Sequence, residues 1–486
     1  MQAFFKVLCN VTVRALTAEK KSYRGETIGN PLGVERIGKL MLQFAIPAIV
    51  SNLVNAAYNL IDQVLIGFSV GMLGIAATNI AFPLTSITAA TAFLLGSGGA
   101  SNYSLKLGEG DKDAANKFAV NTISLLAIAG IAIGAFVLIF VKPLVYAFGA
   151  TETIEPLALT YTTIIAIGMP FGIFTVGASS LIRADGSPRY AMICTVVGAV
   201  FNVVIDPIIA FVLKWGLAGL AWSTTIGQMM TAAIALYYFL KKSERISLRN
   251  INLLPKLYLT GKTCALGVTA CINQLGISVL QITLNNTLRY YGSSSAYGSD
   301  IPLGSVGAIS KLNVVLMAFT IGIAQGCQPI QGFNYGAKKY DRVKKTLRLA
   351  LISASLVSTA VFLTFQLFPR QLMFIFGESD PLYLEFAARY LRIFMFMTFL
   401  SGIQPIAATF FPAIGKARHG LLISLSRQIV FILPLLLILP VFFGLDGALY
   451  AGPASDFAAA CVSAFLIVNE MKKITALQRA QISQET

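Results

Sequence analysis

The stretch "NAAYNLIDQVLIG", residues 55–67, closes a long apolar run that begins near Met41 and carries a single carboxylate, Asp62. Whether that run lies in water or in lipid decides the fold. At the centre of a bilayer an aspartate costs about 2.5–3.5 kcal/mol on insertion scales, so it needs a partner, a watery cavity or a proton.

The rest of the chain answers for lipid. Of 486 residues, 56% are hydrophobic and 12% charged, against roughly 25% charged in a soluble domain. A helix crosses the hydrocarbon layer with about 20 mainly apolar residues. Twelve such runs can be drawn, over approximately 39–66, 75–98, 119–141, 158–181, 190–213, 216–240, 263–288, 305–330, 349–368, 393–411, 419–443 and 447–470. Residues 125–139, 208–213 and 429–443 are too apolar to face solvent, and the alternation of barrel strands is absent. Helices remain, because in lipid the backbone polar groups must be satisfied within the segment. The expected fold class is an all-α polytopic membrane protein with twelve transmembrane helices.

Charge between the runs sets the orientation. Lysine and arginine favour one side of the twelve-run scheme by 29 to 6, with Lys311 and Arg427 inside runs. The rule that positive loops stay inside then predicts a plasma-membrane protein with both termini in the cytoplasm. The net charge of +16 is an orientation signal, which argues against nucleic-acid binding.

Other chemistry is missing from the sequence. Cys9, Cys194, Cys264, Cys271, Cys327 and Cys461 are scattered and read as small apolar residues. One histidine, His419, builds no zinc cluster, and no CxxC spacing occurs. Gly261-Lys262-Thr263 copies the tail of a phosphate-binding loop, but Lys256 stands where its first glycine belongs. No metal, no ATP and no cofactor is expected, and residues 1–24 read as a cytoplasmic tail rather than a cleaved signal.

An internal repeat organises the chain. "YSLKLGEGDKDAANK" at 103–117 aligns with "QGFNYGAKKYDRVKK" at 331–345 at an offset of 228. The same offset pairs Phe148-Gly149 with Phe376-Gly377 and "KWGLAGL" at 214–220 with "FFGLDGA" at 442–448. With one inserted residue, Ala184-Asp185-Gly186 falls on Ala413-Ile414-Gly415. Six runs per copy make the repeat parallel, and substrate cavities of transporters lie between such repeats. The expected parts are a cytoplasmic N-terminal segment 1–38, an N-terminal lobe 39–240, a basic linker 241–262, a C-terminal lobe 263–470 and a cytoplasmic tail 471–486, with the two lobes around a central cleft.

Most polar residues within the runs have simple readings. Arg183, Lys214 and Arg289 sit near run ends and are expected to snorkel. Gly130 and Gly134, Gly168 and Gly172, and Gly322 and Gly326 have the spacing of close helix crossings. Asp62 and Asp206 stand apart. Asn202 and Asp206 are one turn apart on one helix face, as are Asn59 and Asp62, with Tyr58 beside them. Pro207 cannot donate to the carbonyl of residue 203 and predicts a bend beside the carboxylate. Two carboxylates facing one cavity favour proton uptake, through desolvation and mutual repulsion. A buried structural network of the same residues is the alternative. The second lobe has no acid in its first run; Gln281, Lys311, Arg427 and Asp456 form a possible polar network there, either a salt-bridged lobe contact or part of a cavity.

These stretches bring a resemblance into view. "FAIPAIVSNLVNAAYNLIDQVLIG" at 44–67, "LIRADGSPRYAM" at 181–192, "NVVIDPI" at 202–208 and "GIAQGCQPIQGFNYGAKKYDRVKK" at 322–345 resemble the bacterial efflux-pump branch of the multidrug and toxin extrusion (MATE) family, over about residues 35–470. The resemblance implies two six-helix lobes around a central cleft and antiport of small organic cations against protons or sodium. It places the acid motif on Asp62, with Asn202 and Asp206 as its partners, and a helix-bending proline on Pro47. Acids in the seventh and tenth runs, used by some sodium-coupled members, are missing here, which favours protons while leaving an N-lobe sodium site open.

The combined expectation is a secondary antiporter, active as a single chain in the lipid bilayer, that exports cationic amphipathic compounds by alternating access. "FMFMTF" at 394–399 is a candidate substrate wall or a packing element. Two other classes stand beside this reading. A flippase or exporter of a lipid-linked or other endogenous solute would ask for several cleft arginines. A scaffold or receptor would not need intramembrane carboxylates beside a proline.

Overall fold

The computed structural model describes residues 30–248, 254–298, 300–374 and 381–485. Cys9, the basic residues up to Arg24, Arg249 and the Phe376-Gly377 match lie outside them. The long helices are α1 Ile37–Val70, α2 Met72–Gly108, α3 Lys112–Ile139, α4 Glu155–Ala184, α5 Pro188–Leu213 and α6 Gly216–Tyr237, then α7 Leu257–Ser293, α8 Asp300–Gly336 and α9 Tyr340–Leu367. After them come α10, a bent pair Pro381–Phe394 and Thr398–Ala413, then α11 Ala417–Phe443 and α12 Leu445–Glu485.

Among the described residues, ten helices are long and apolar enough to cross a membrane, or eleven when the pair of α10, bent by 43°, counts as one span. Helix α6, over the expected run 216–240, is the long helix outside that count among the described residues. It holds Ser223, Thr224, Thr225, Gln228 and Thr231 within one stretch, which lowers its hydropathy. The run expected over 393–411 belongs to a longer, bent element. Its helix pair starts at Pro381, and the charges of Glu385, Arg389 and Arg392 conceal the first arm, while the break falls inside "FMFMTF". Phe396 and Phe399 of that segment pack edge-on against Phe362, and Met395 is buried.

The outside of the molecule is apolar. Ile131, Ile139, Phe211, Val212, Val441 and Phe442 are each more than half exposed, whereas Thr122, Thr225, Asn334 and Ser455 are fully buried. That distribution suits hydrocarbon surroundings and not water.

The repeat appears in the helix boundaries. Helices α2 and α8 are both 37 residues long and begin at 72 and 300; α3 and α9 are both 28 residues long and begin at 112 and 340. Left-handed turn positions recur at the same offset, at Gly110 and Lys338 and at Gly216 and Gly444, and one residue later at Gly186 and Gly415.

The two halves touch closely at one end, where α1 begins and α2 ends. A Cβ on Gly267 would lie 1.7 Å from the Leu94 carbonyl oxygen, and one on Gly98 would lie 1.9 Å from that of Thr263, so only glycine permits the α2–α7 crossing. Gly322 and Gly326 of α8 similarly admit the backbone of Ile49 and Ala45 on α1. Polar contacts secure the same region: the Gln328 amide donates to Ser101 Oγ at 2.9 Å, and Asn102 donates to the Lys262 carbonyl at 3.2 Å. Lys339 and Arg342 also donate to the carbonyls of Gly33, Leu32 and Glu35 around the short helix Pro31–Val34.

Candidate functional site

Helix α1 continues through Pro47, where Ser51 Oγ donates to the Pro47 carbonyl at 2.9 Å. Further along α1, Tyr58 Oη and Thr224 Oγ1 of α6 are 3.2 Å apart, and Asp62 is buried. Asn59 turns the other way: it is exposed, and its amide donates to the Asn55 carbonyl of its own helix. The expected shared face of Asn59 and Asp62 therefore does not put Asn59 at the carboxylate.

Helix α5 brings Asn202 and Asp206 to the same region. Ser223 Oγ of α6 donates to Asn202 Oδ1 at 3.2 Å. Asp206 is completely buried, and its carboxylate oxygens accept no hydrogen bond of ordinary geometry among the described residues, although the Ser223 hydroxyl lies nearby. Buried polar groups are nearly always paired, so this one requires a chemical reason. Directly after Pro207 the backbone changes to a π-turn over Ile208–Leu213, ending on Lys214 in a left-handed conformation. The proline thus acts on local winding, and π-turns of this kind recur at functional sites. Asp62 and Asp206 are close enough to interact electrostatically, and both act on Tyr58 and Tyr161.

A cavity of about 230 Å³ adjoins this cluster within the first half. Its walls include Asn52, Asn55 and Tyr58 from α1, Thr175 and Ser179 from α4, Asn202 from α5, and Thr224 and Gln228 from α6; Gln325 of α8 is the lining residue from the second half. Asp62 and Asp206 are not on this wall, but Tyr58 and Asn202 are, each about one turn from its carboxylate. The wall carries many amide and hydroxyl groups on a surface that is largely apolar, with Phe93 and Val176 among its residues, and the aromatic segment 394–399 does not line it.

Sequence reading missed Arg183. Instead of snorkelling, it is 9% exposed and lines the cavity, with Nη2 donating to Ser180 Oγ at 3.0 Å. It missed Ser223 and Thr224 too, because serine and threonine hydroxyls in helices usually bond their own backbone and give no signal of their own; Tyr161 was one aromatic residue among many in the apolar runs. Lys214 is exposed, as expected at a helix end.

In the second half, Arg427 Nε of α11 donates to Asp456 Oδ1 of α12 at 2.9 Å. The pair lies within one half, so it is not a contact between lobes. Gln281 donates to Asn285 on its own helix, and Lys311 is exposed. No group of three or more histidine, cysteine or acidic side chains suited to a metal occurs among the described residues.

Outside the helices, Asp185 ties loop, helix and linker together. Tyr103 donates to its Oδ1 at 2.7 Å, Tyr238 and Ser243 donate to its Oδ2 at 2.6 and 2.8 Å, and Arg245 donates to its carbonyl. Burial pushes the Asp185 carboxyl above its ordinary range, opposed by the hydrogen bonds from Tyr238, Tyr103 and Ser243 and by the charge of Arg245.

The chain is similar to known proteins along most of its length. The family model MatE matches residues 47–208 and 271–438. The multidrug export protein MepA of Staphylococcus haemolyticus (strain JCSC1435) is 23% identical over 451 residues, covering 92% of this chain and 97% of the relative. MepA of Staphylococcus aureus (strain MRSA252) is 25% identical over 437 residues, covering 88% and 93%. Among solved structures, the MATE multidrug transporter DinF-BH, solved in complex with a ligand, aligns with a TM-score of 0.83 at 33% identity, over 92% of this chain and 98% of that one. An outward-facing MATE family transporter of the MOP superfamily aligns with a TM-score of 0.85 at 23% identity, over 94% and 100%. The two matched segments cover more than half of the sequence and identify a multi-pass membrane transport protein, not an enzyme: the chain belongs to the MATE family.

Proposed function

We propose that this protein is a secondary antiporter that exports cationic, amphipathic compounds in exchange for inward protons. Twelve helices form two six-helix lobes, 39–240 and 263–470, around a central cleft, with the linker 241–262 and both termini in the cytoplasm and one chain as the transport unit. The observation that carries the reading is Asp206, a fully buried carboxylate whose oxygens accept no hydrogen bond of ordinary geometry among the described residues, with the Ser223 hydroxyl nearby, beside Asp62 and a cavity. A structural acid in that position would be paired; one that exchanges protons and cations has its partner only part of the time.

The cycle follows from competition for Asp62 and Asp206. Ionised, the pair attracts a cation. Protonation from outside removes the counter-charge and releases the cation outward, and loss of the proton toward the cytoplasm resets the site. The ligand moves the two-state equilibrium only through its different affinity for the two states. The close α1–α8 and α2–α7 contacts gather at the cytoplasmic end in this topology, which supports an outward-open state. The relatives named as multidrug export proteins, and the ligand-bound neighbour named as a multidrug transporter, support the substrate class. Protons are preferred to sodium because α7 and the run 393–411 of α10 lack the acids that the family resemblance assigns to some sodium-coupled members; Glu385, in the first arm of α10, lies outside that run.

The test is uptake of a fluorescent organic cation into inside-out vesicles under separately imposed proton and sodium gradients. Uptake driven by protons at constant sodium supports the proposal. Uptake driven by sodium at fixed pH, and not by protons, contradicts the choice of ion.

A further inference from the structure

Arg183 carries an inference that cation export does not require. Among the described residues it is the one charged side chain on the cavity wall, and it is more than nine-tenths buried. A guanidinium has five N–H donors, and among the described residues its side chain shows one hydrogen bond, to Ser180, and no ion pair with a carboxylate. A buried charge without its counter-charge is strongly unfavourable. The rest of the wall is uncharged: Ser179, Thr175, Thr195, Thr231, Gln228 and Asn52 supply hydrogen-bonding groups on a surface that is otherwise largely apolar. The guanidinium repels a simple cation and suits an oxyanion, which it binds with paired, charge-assisted hydrogen bonds. At about 230 Å³ the cavity is smaller than the roughly 300–1,000 Å³ of drug-sized sites, so it receives one arm of a ligand.

We propose that Arg183 and the polar wall around it form an anion subsite, and that this transporter selects zwitterions whose carboxylate or similar oxyanion enters the cavity while the cationic group remains near Asp62 and Asp206. The subsite deepens the export reading and rests on it. Tyr58 and Asn202 line the same cavity, and each stands about a turn of helix from an acid. The two charges of a zwitterion are thereby matched separately.

The experiment compares equilibrium binding of a fluorescent zwitterion with that of its methyl ester, using the full chain in lipid nanodiscs. The wild type should bind the zwitterion about ten-fold tighter, the value of one charge-assisted contact. Arg183→Gln should remove that preference and bind the ester more tightly than the wild type does, because a repulsive charge is gone. Arg183→Lys should retain part of the preference. Equal affinity of the wild type for acid and ester, or equal weakening of both by Arg183→Gln, would overturn the subsite. If Arg183→Gln fails to fold, the wild-type comparison alone decides. Absence of binding and vesicle uptake for any organic cation would instead defeat the export reading, so the two failures are distinguishable.

Discussion

Asn202 and Asp206 stand one turn apart on α5 yet meet different surroundings. Asn202 accepts from Ser223 and lines the cavity, while Asp206 is fully buried, off the cavity wall, with no hydrogen bond of ordinary geometry to its carboxylate among the described residues and the Ser223 hydroxyl nearby.

Asp206→Asn tests whether the two acids work together. Removing one of two neighbouring negative charges makes the other easier to keep ionised, and such groups titrate as a pair. Bound fluorescent cation should therefore be held to lower pH in the variant than in the wild type. An unchanged midpoint in a pH titration of binding would mean that Asp62 and Asp206 act independently.

Pro47→Ala should separate bending from charge. The proline contributes no charge, but it removes a helix hydrogen bond in α1 between the tight crossing at Ala45 and the acid at Asp62. Cation binding should keep its pH profile while vesicle transport slows several-fold. Full transport by the variant would remove the proline from the mechanism.

The Arg427–Asp456 pair should matter for stability. Its side chains are 18% and 12% exposed, and removing one partner leaves the other charge largely buried. Asp456→Ala should cost about 3 kcal/mol, read from denaturant unfolding in detergent. Arg427→Met combined with Asp456→Leu should restore most of it, whereas a double variant as unstable as the single one would assign the pair a role beyond mutual neutralisation.

How far these features were legible in the sequence depended on the kind of signal. Uniform apolar runs gave α1 to α5 and most of the second half because lipid demands them. Helix α6 was weaker, since the hydroxyl and amide groups that line its cavity face also reduce its apolar character. The first arm of α10 was hidden by Glu385, Arg389 and Arg392; Arg389 pairs with Asp446 at 2.7 Å. Asp62, Asn202 and Asp206 were visible because charge and amide are rare inside apolar runs. Arg183 was misread because its position at the end of α4 suits snorkelling equally well; only packing shows which way the side chain turns.

The Asp185 cluster gives a pH prediction with a defined sign. Its carboxyl is raised above the ordinary range by burial, so the folded protein holds that proton more readily than the unfolded chain. Its contribution to stability is full below the ordinary carboxylate value and is lost as pH rises through the raised value. Asp185→Asn should abolish that part of the slope in thermal unfolding measured across acid pH. An identical slope in both proteins would show that Asp185 does not titrate in this window.

The most direct test of the account is Asp62→Asn in proteoliposomes carrying an imposed proton gradient, with protein content matched to the wild type. The amide resembles the protonated acid but cannot exchange a proton. The account predicts that gradient-driven accumulation of a fluorescent cation falls to the level seen without a gradient; accumulation undiminished from the wild type would contradict Asp62 as the coupling residue.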